Sequence, residues 1–302
     1  MLDPITYAAV YYSIITILSA LGLTLTYQTT KVPNFAQGPY LTLGTYLGIF
    51  AQGVLRISPF YFIPVSFLLV GLFSLLFYLL VIRPLMNRGA SIVILMIATL
   101  NLDIISYSII NIFASWMNYT YFVSISYVNF INSDFDVFGI NFSFILGIIA
   151  VIVVFISLYL LLFKTKFGIA MRASIENPSL ASVVGINTNA VYLFSWFLSG
   201  ALTGMAGIFF AFFQSVNTYS GDEFLPYMFA ATILGGISSL FGTILGGIIV
   251  GATSVLVTYG IVSLGFTFFI PFQPIVPLVI MSIVLLIFPQ GIGGLLSKFL
   301  KH

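Results

Sequence analysis

Charged residues are scarce in this chain of 302 residues: nine Lys and Arg and seven Asp and Glu make up only 5% of it. A soluble domain carries about 25% charged residues, which keep its surface in water. Because 61% of the residues are hydrophobic and 17% are aromatic, the chain lacks the polar side chains for such a surface. The composition therefore indicates that a lipid bilayer surrounds most of the chain.

Cysteine is absent, and the single histidine is the last residue, His302. These absences exclude disulfide bridges, thiolate metal sites and nucleophilic catalysis by Cys or a Ser/His/Asp set. The sequence also lacks the Gly-x-x-x-x-Gly-Lys-Ser/Thr loop that binds nucleotide phosphates. A net charge of +2 is too small to indicate nucleic-acid binding. We expect neither an enzyme nor a protein with a bound metal or cofactor.

Long apolar runs fill most of the chain, and about nine of them could form membrane helices. They cover roughly 5–27, 35–55, 59–82, 91–114, 142–163, 190–213, 224–237, 240–260 and 265–288. The sequence predicts an all-α, polytopic membrane bundle of about 8–9 transmembrane helices, forming a single domain over 1–302. The run at 224–237 is short, so it either crosses the membrane or re-enters it as a half-helix.

Basic residues favour the cytoplasmic side of a membrane protein. If the loop with Arg83 and Arg88 is cytoplasmic, most other basic residues fall on that side: Lys31, Lys164, Lys166, Arg172, Lys298 and Lys301. Five of the seven acidic residues then fall outside: Asp3, Asp134, Asp136, Asp222 and Glu223. We expect a multi-pass protein of a prokaryotic cell membrane with its N-terminus outside. Its C-terminus is inside if 224–237 crosses.

Two stretches interrupt the apolar runs, one between Pro33 and Pro39 and the other at Leu234–Ser239. Irregular backbone at membrane depth is tolerated only inside protein or beside a water-filled cavity. Asp103 is the one acidic residue well inside a predicted span, where an ionisable group is a functional hypothesis by default. The alternative is structural, a cap or a pair across helices. The candidate path residues are Asn34, Phe35, Gln37, Gly38, Asn101, Asp103, Gly235 and Gly236.

The predicted cytoplasmic loop at about 164–189 contains the signals of a short helix. Asn177 is a favourable N-cap, Pro178 suits the first helical position, and Gly185 can adopt the left-handed stop. An apolar face would consist of Leu180, Val183 and Val184. A helix of about two turns is marginal alone. It therefore needs to pack against lipid or against a cytoplasmic partner.

A series of short motifs runs through most of the chain in a fixed order. They are GLTL at 22–25, NFAQG at 34–38, LGTY at 43–46, RPL at 83–85, IATL at 97–100, GIAMRASIENP at 168–178, SGALTGMAG at 199–207 and LGGISSLFGTILGG at 234–247. This series resembles the permease subunits of branched-chain amino-acid ABC importers. Gln37 stands where members of that family often carry His, and Asp103 where a small polar residue is usual. These departures leave the substrate open.

The resemblance implies a two-permease, two-ATPase importer that an extracellular substrate-binding protein feeds. In that family a short cytoplasmic helix fits a cleft of the ATPase and transmits its opening and closing. The coupling residues implied for this chain are Arg172, Glu176, Asn177, Pro178, Ala181, Gly185, Ile186 and Asn187. The expected partners are ABC ATPase subunits, a second permease subunit in a homo- or heterodimer, the binding protein and the lipid bilayer.

The function expected from the resemblance is translocation of branched-chain or related amino acids across the cytoplasmic membrane. Two alternatives stay open. One is a permease of the same superfamily for a sugar, a nucleoside or urea. The other is an ion-coupled secondary transporter or channel that works alone and uses Asp103 as its proton or ion site.

Overall fold

A computed structural model describes residues 3–137, 139–237, 239–287 and 291–292. The helices are α1 (Pro4–Thr30), α2 (Gln37–Gly53), α3 (Ile63–Phe77), α4 (Arg83–Asn87), α5 (Ile92–Tyr121), α6 (Phe142–Lys164), α7 (Lys166–Glu176), α8 (Pro178–Val183), α9 (Thr188–Phe213), α10 (Ser220–Gly235), α11 (Leu240–Ser263) and α12 (Ile275–Ile287). Shorter turns are the 3₁₀ segments Pro59–Phe62, Ile131–Ser133 and Thr267–Phe272 and the π turn Tyr78–Ile82. One hairpin pairs β1 (Asp136–Val137) with β2 (Ile140–Asn141), antiparallel, with Asp136 opposite Asn141.

Six helical segments of the described chain are long and apolar enough to cross a bilayer. They are Pro4–Thr30, Pro59–Asn87, Ile92–Tyr121, Phe142–Lys164, Thr188–Phe213 and Leu240–Ser263. Three further predicted segments are helical but shorter: α2 has 17 residues, α10 has 16 and α12 has 13. A full crossing takes about 20 helical residues. The prediction of an all-α membrane bundle with long and part-length helices is confirmed.

The centre of the bundle is α1, whose side chains are almost all buried from Tyr11 to its end. It packs against α9 near Gly22 and Ser199, and against α11 near Ser13 and Gly251. Hydroxyl groups on α1 bond mostly to the helix's own carbonyls, as in the 2.8 Å bond from Ser13 Oγ to the Ala9 oxygen. Satisfied hydroxyls let polar residues lie inside a bundle that lipid surrounds.

Small residues allow the helix backbones to approach closely. A Cβ atom on Gly44 of α2 would overlap the backbone of Gly204 in α9, and one on Gly221 of α10 would overlap the carbonyl oxygen of Gly38. Ser66 Oγ of α3 donates a hydrogen bond of 2.8 Å to the Gly204 oxygen. Because lipid is as apolar as the helices, no hydrophobic force draws them together. Van der Waals contacts between closely packed helices have to provide the attraction.

The bundle has a first end, near Pro4 and Phe213, and a second end, near Thr30 and Thr188. The short helix α10 runs parallel to α1, because the Phe224 ring lies 6.0 Å from that of Tyr12 and Thr232 Oγ1 donates to the Ala20 oxygen at 3.2 Å. It therefore passes from the first end towards the second. Gly291 lies beside Gly236, so the chain reaches the second end again after α12. Ser238, Phe288, Lys298 and Lys301 lie outside the described residues.

Three helix boundaries differ from the prediction, and of these α12 begins only at Ile275 instead of about 265. Helix α10 begins at Ser220 instead of about 224, so Asp222 and Glu223 occupy its first turn. Both residues were predicted to lie in a loop because they are charged. Acidic side chains are nevertheless favourable in the first turn of a helix, where the helix dipole is positive. Helix α5 continues to Tyr121 instead of ending at about 114, which brings Trp116 onto the helix.

Candidate functional site

Helix α8 has caps at both ends and forms a distinct short element at the second end of the bundle. The side-chain oxygen of Asn177 accepts a hydrogen bond from the Leu180 N–H at 3.1 Å, and Pro178 is the first helical residue. Gly185 follows with a φ of +86°, and the Ile186 N–H donates to the Ala181 oxygen at 2.9 Å. These contacts confirm the predicted capped helix.

The outer face of α8 is apolar and uncovered in the isolated chain. Leu180 is 64% exposed, Val183 82% and Val184 74%, whereas Ala181 is only 3% exposed. A depression of about 390 Å³ adjoins this face, lined by Ala173, Glu176, Asn177, Leu180, Ala181 and Val184. Three adjacent large apolar side chains on one short helix form a patch of the kind that marks an interaction site.

The remaining predicted coupling residues lie around α8. Arg172 is exposed, with its guanidinium carbon 5.0 Å from the centre of the Phe163 ring. Glu176 is the exposed last residue of α7. Asn187 is the N-cap of α9, since its side-chain oxygen accepts from the Ala190 N–H at 3.1 Å. The sequence analysis missed this second cap, although an Asn just before an apolar run signals one.

A buried hydrogen-bond cluster surrounds Gln37, the first residue of α2. Its side-chain oxygen accepts from Asn34 Nδ2 at 3.1 Å and from Ser199 Oγ at 3.0 Å. Its Nε2 donates to Thr203 Oγ1 and lies 3.4 Å from the carbonyl oxygens of Ser19 and Ser199. Gln37 thus joins the start of α2 to α1 and α9. The predicted residues Asn34 and Gln37 are in contact, and the Asn34 side-chain oxygen has no hydrogen-bond partner among the described residues.

A second group of polar side chains lies where α2, α5 and α10 meet. A Cβ atom on Gly38 would lie 2.6 Å from Asp222 Oδ1, and Asp103 is a close neighbour of Asp222. Oδ1 of each is buried without a donor in the described part of the chain. Two carboxylates cannot donate to each other, so this pair alone gives neither oxygen a donor. The sequence analysis identified Asp103 but not its neighbour.

The other candidate path residues are not gathered at one site. The Phe35 ring lies 5.2 Å from that of Phe229 in α10. Asn101 is exposed on α5, where its Nδ2 donates to the Ile97 oxygen at 2.8 Å. Gly235 ends α10 against the backbone of Gly242, and Gly236 follows with a φ of +90°. Lining of a path by these residues stays a prediction.

A bundle with six helices long and apolar enough to cross a bilayer defines the chain as a multi-pass membrane protein. Its sequence matches the family described as "Branched-chain amino acid transport system / permease component" over residues 5–288. The chain belongs to this permease family. The resemblance seen in the sequence motifs is confirmed.

Individual relatives agree with this assignment. The chain is 42% identical to the probable branched-chain amino acid transport permease protein LivH of Methanocaldococcus jannaschii, over 97% of this chain and 93% of that protein. It is 25% identical to the high-affinity branched-chain amino acid transport system permease protein BraD of Pseudomonas aeruginosa, over 92% and 91%. It is also 35% identical to the nucleoside ABC transporter permease protein NupC of Lactococcus lactis, over only 38% and 36%. No solved structure matches the chain.

Proposed function

We propose that this chain is the membrane subunit of an ABC importer for branched-chain or related apolar amino acids. Separate ATPase subunits drive it, an extracellular binding protein delivers the substrate, and a second permease subunit completes the membrane part. Residues 1–302 form one permease domain in this proposal. The observation that carries it is α8, a capped helix that exposes Leu180, Val183 and Val184 together.

The surroundings of α8 suit the transmission of movement from a partner. One residue, Asn177, ends α7 and caps α8, and Asn187 at the far side of the loop caps α9. Helix α7 contacts α1, α6 and α9, and α9 packs along α1, α2 and α3. A displacement of α8 would therefore reach the centre of the bundle through two short, capped connections. Arg172, Glu176 and the other coupling residues lie on or beside these connections.

The proposal places the second end of the bundle in the cytoplasm. Arg83, Arg88 and Arg172 lie in or beside elements at that end, as the preference of basic residues for the cytoplasm requires. The N-terminus is then outside. Helix α10 runs towards the cytoplasmic end, and Gly291, after α12, lies beside Gly236 near that end. In this proposal the part of the chain after α12 is therefore on the cytoplasmic side.

The proposed path follows the interrupted segments. Asn34 precedes the short helix α2, and its buried side-chain oxygen has no partner in the described part of the chain. Gly38 and Gly221 bring α2 and α10 into backbone contact. A part-length helix that begins inside the bundle is a common component of transport sites.

Replacing residues 177–185 by a Gly/Ser linker tests the proposal. The linker removes the caps and the apolar face but keeps the connection between α7 and α9. We expect normal membrane insertion and a loss of ATP-dependent uptake. A Gly/Ser replacement of 263–266, an exposed turn at the end of α11 and at the other end of the bundle, controls for nonspecific loosening. Full uptake with the 177–185 linker would falsify the coupling role of α8.

The proximity of Asp103 to Asp222 favours a second candidate, an ion-coupled carrier that works without an ATPase. Acidic side chains inside a membrane bundle are the groups on which proton coupling depends, and these two are half-buried and close together. This function requires the purified chain alone to accumulate substrate when a proton gradient is imposed. Asp103→Asn and Asp222→Asn should each stop that accumulation.

A further inference from the structure

A cavity of about 400 Å³ opens at the first end of the bundle, away from α8. Its lining comes from α1, from α9 and the residue after it, from α10, and from the segment between α11 and α12. The lining residues are Tyr12, Phe210, Gln214, Ser220, Glu223, Phe224, Tyr227, Ile270, Pro271, Gln273 and Pro274. The volume is in the range of small-molecule sites.

Aromatic rings form the deep wall of this cavity. The rings of Phe224 and Tyr227 stack with their centres 4.7 Å apart, and Phe210 lies 5.2 Å from Phe224. All three side chains are at most 3% exposed. The rings are closely packed and present only a small part of their surface to the cavity, so the apolar surface that a ligand reaches includes the exposed side chains of Ile270 and Pro271.

Polar groups of complementary character lie on three other segments. Glu223, exposed in the first turn of α10, is the only charged side chain among the lining residues. Gln214 follows α9 and uses its side-chain oxygen to accept from Tyr12 Oη at 2.9 Å, which leaves its NH₂ group as a donor. Gln273 supplies a second carboxamide. The cavity thus combines one carboxylate with two neutral amide donors.

We propose that this cavity binds the zwitterion of an apolar α-amino acid on the permease itself. The Glu223 carboxylate pairs with the α-ammonium group, and the amides of Gln214 and Gln273 donate to the α-carboxylate. The aliphatic side chain contacts Ile270 and Pro271 and the accessible edges of the aromatic rings. A ligand with only an anionic group would meet Glu223 and no compensating cation, so an amino acid fits better than an organic acid.

The cavity and α8 lie at opposite ends of α9, which suggests the step of transport that the cavity serves. Helix α9 has 26 residues, so its length of roughly 39 Å separates the cavity from α8. The assignment rests on the proposed function: the cavity receives the amino acid at the outer end before the ATPase drives it onward.

Binding of radiolabelled leucine to the purified full chain in lipid nanodiscs tests the site. The competitors are 3-methylbutan-1-amine, which lacks the carboxylate, and 4-methylpentanoate, which lacks the ammonium group. We expect both to compete at least about tenfold more weakly than leucine. Glu223→Gln should raise the Kd for leucine about tenfold and leave that for 4-methylpentanoate unchanged or lower.

Two further variants keep the test specific. Gln273→Leu should weaken binding of leucine and 4-methylpentanoate but not that of 3-methylbutan-1-amine. Asp136→Asn, which removes an exposed acidic side chain from the hairpin, should leave all three Kd values unchanged. Equal leucine affinity in wild type and Glu223→Gln overturns the inference.

Uptake by the complete importer separates this inference from the proposed function. An importer that takes up leucine although its permease chain binds none overturns the cavity assignment alone. A Glu223-dependent leucine site in a complex that takes up no apolar amino acid overturns the proposed function alone.

Discussion

The side-chain oxygen of Asn177 accepts a hydrogen bond from the backbone N–H of Leu180 at 3.1 Å. This contact satisfies one of the free N–H groups at the start of α8. It also orients the helix so that Leu180 points outward while Ala181 is buried. The proposed link to an ATPase therefore depends on a cap formed by a single side chain.

Asn177→Ala should weaken α8 by about 1 kcal/mol, because the N-cap bond is lost. The expected result is less amino acid transported per ATP hydrolysed in the reconstituted complex. Asn177→Asp keeps a capping oxygen and should behave nearly as wild type. Ser182→Ala, on the same helix, should have no effect. Equal coupling ratios for Asn177→Ala and wild type would contradict the role of the cap.

The combined replacement of Leu180, Val183 and Val184 by Ser should release the ATPase. Each buried apolar side chain contributes about 1.5–3 kcal/mol, so the loss of three would weaken docking strongly. The measurement is retention of the ATPase subunits when the permease is affinity-purified. Ser179→Ala serves as the matched control on α8. Retention of the ATPase by the triple variant would show that this face is not the docking surface.

Gly221→Ala should destabilise the bundle by about 1–3 kcal/mol, since the new Cβ overlaps the carbonyl oxygen of Gly38. Gly260→Ala is the control, because a Cβ there meets no atom within 4 Å. Alanine is also the better helix former, so stability should stay equal or rise by up to about 1 kcal/mol. Thermal unfolding in detergent compares the two variants. A similar loss at both positions would contradict the close crossing of α2 and α10.

Gln37→Leu should lower stability more than Gln52→Leu at the other end of α2. Gln37 pairs with Asn34, Ser199 and Thr203, and each buried partner left unsatisfied costs about 1–3 kcal/mol. Gln52 makes one side-chain bond, to Ser133 Oγ at 2.9 Å. The melting temperatures of the two variants check this order, and the reverse order would contradict the cluster's role.

Local signals made α8 predictable. The hydrogen bond from the Leu180 N–H to Asn177 joins residues only three positions apart. The left-handed backbone conformation at Gly185 depends on the residue type at that position, since glycine adopts it readily. The partners of Gln37 were not predictable, since Ser199 is 162 positions away. Helix α1 shows the reason: it is apolar nearly all round, so its sequence does not indicate which face meets α9.

The same limit explains the missed sites at the first end. Asp222 was expected in a loop, and it comes close to Asp103 only because α2 packs against both α5 and α10. The cavity around Glu223 combines residues of α1, α9, α10 and the segment before α12. A local sequence pattern does not show which distant segments pack together, so a cavity formed by four of them was not predictable.

The most direct test of the central claim is leucine uptake into proteoliposomes that contain the chain, its partner permease and the ATPase, supplied with the binding protein. The account predicts uptake that requires ATP and the ATPase and that is absent when the chain is reconstituted alone, with or without a proton gradient. Accumulation of leucine by the chain alone under a proton gradient, abolished by Asp103→Asn, would contradict it.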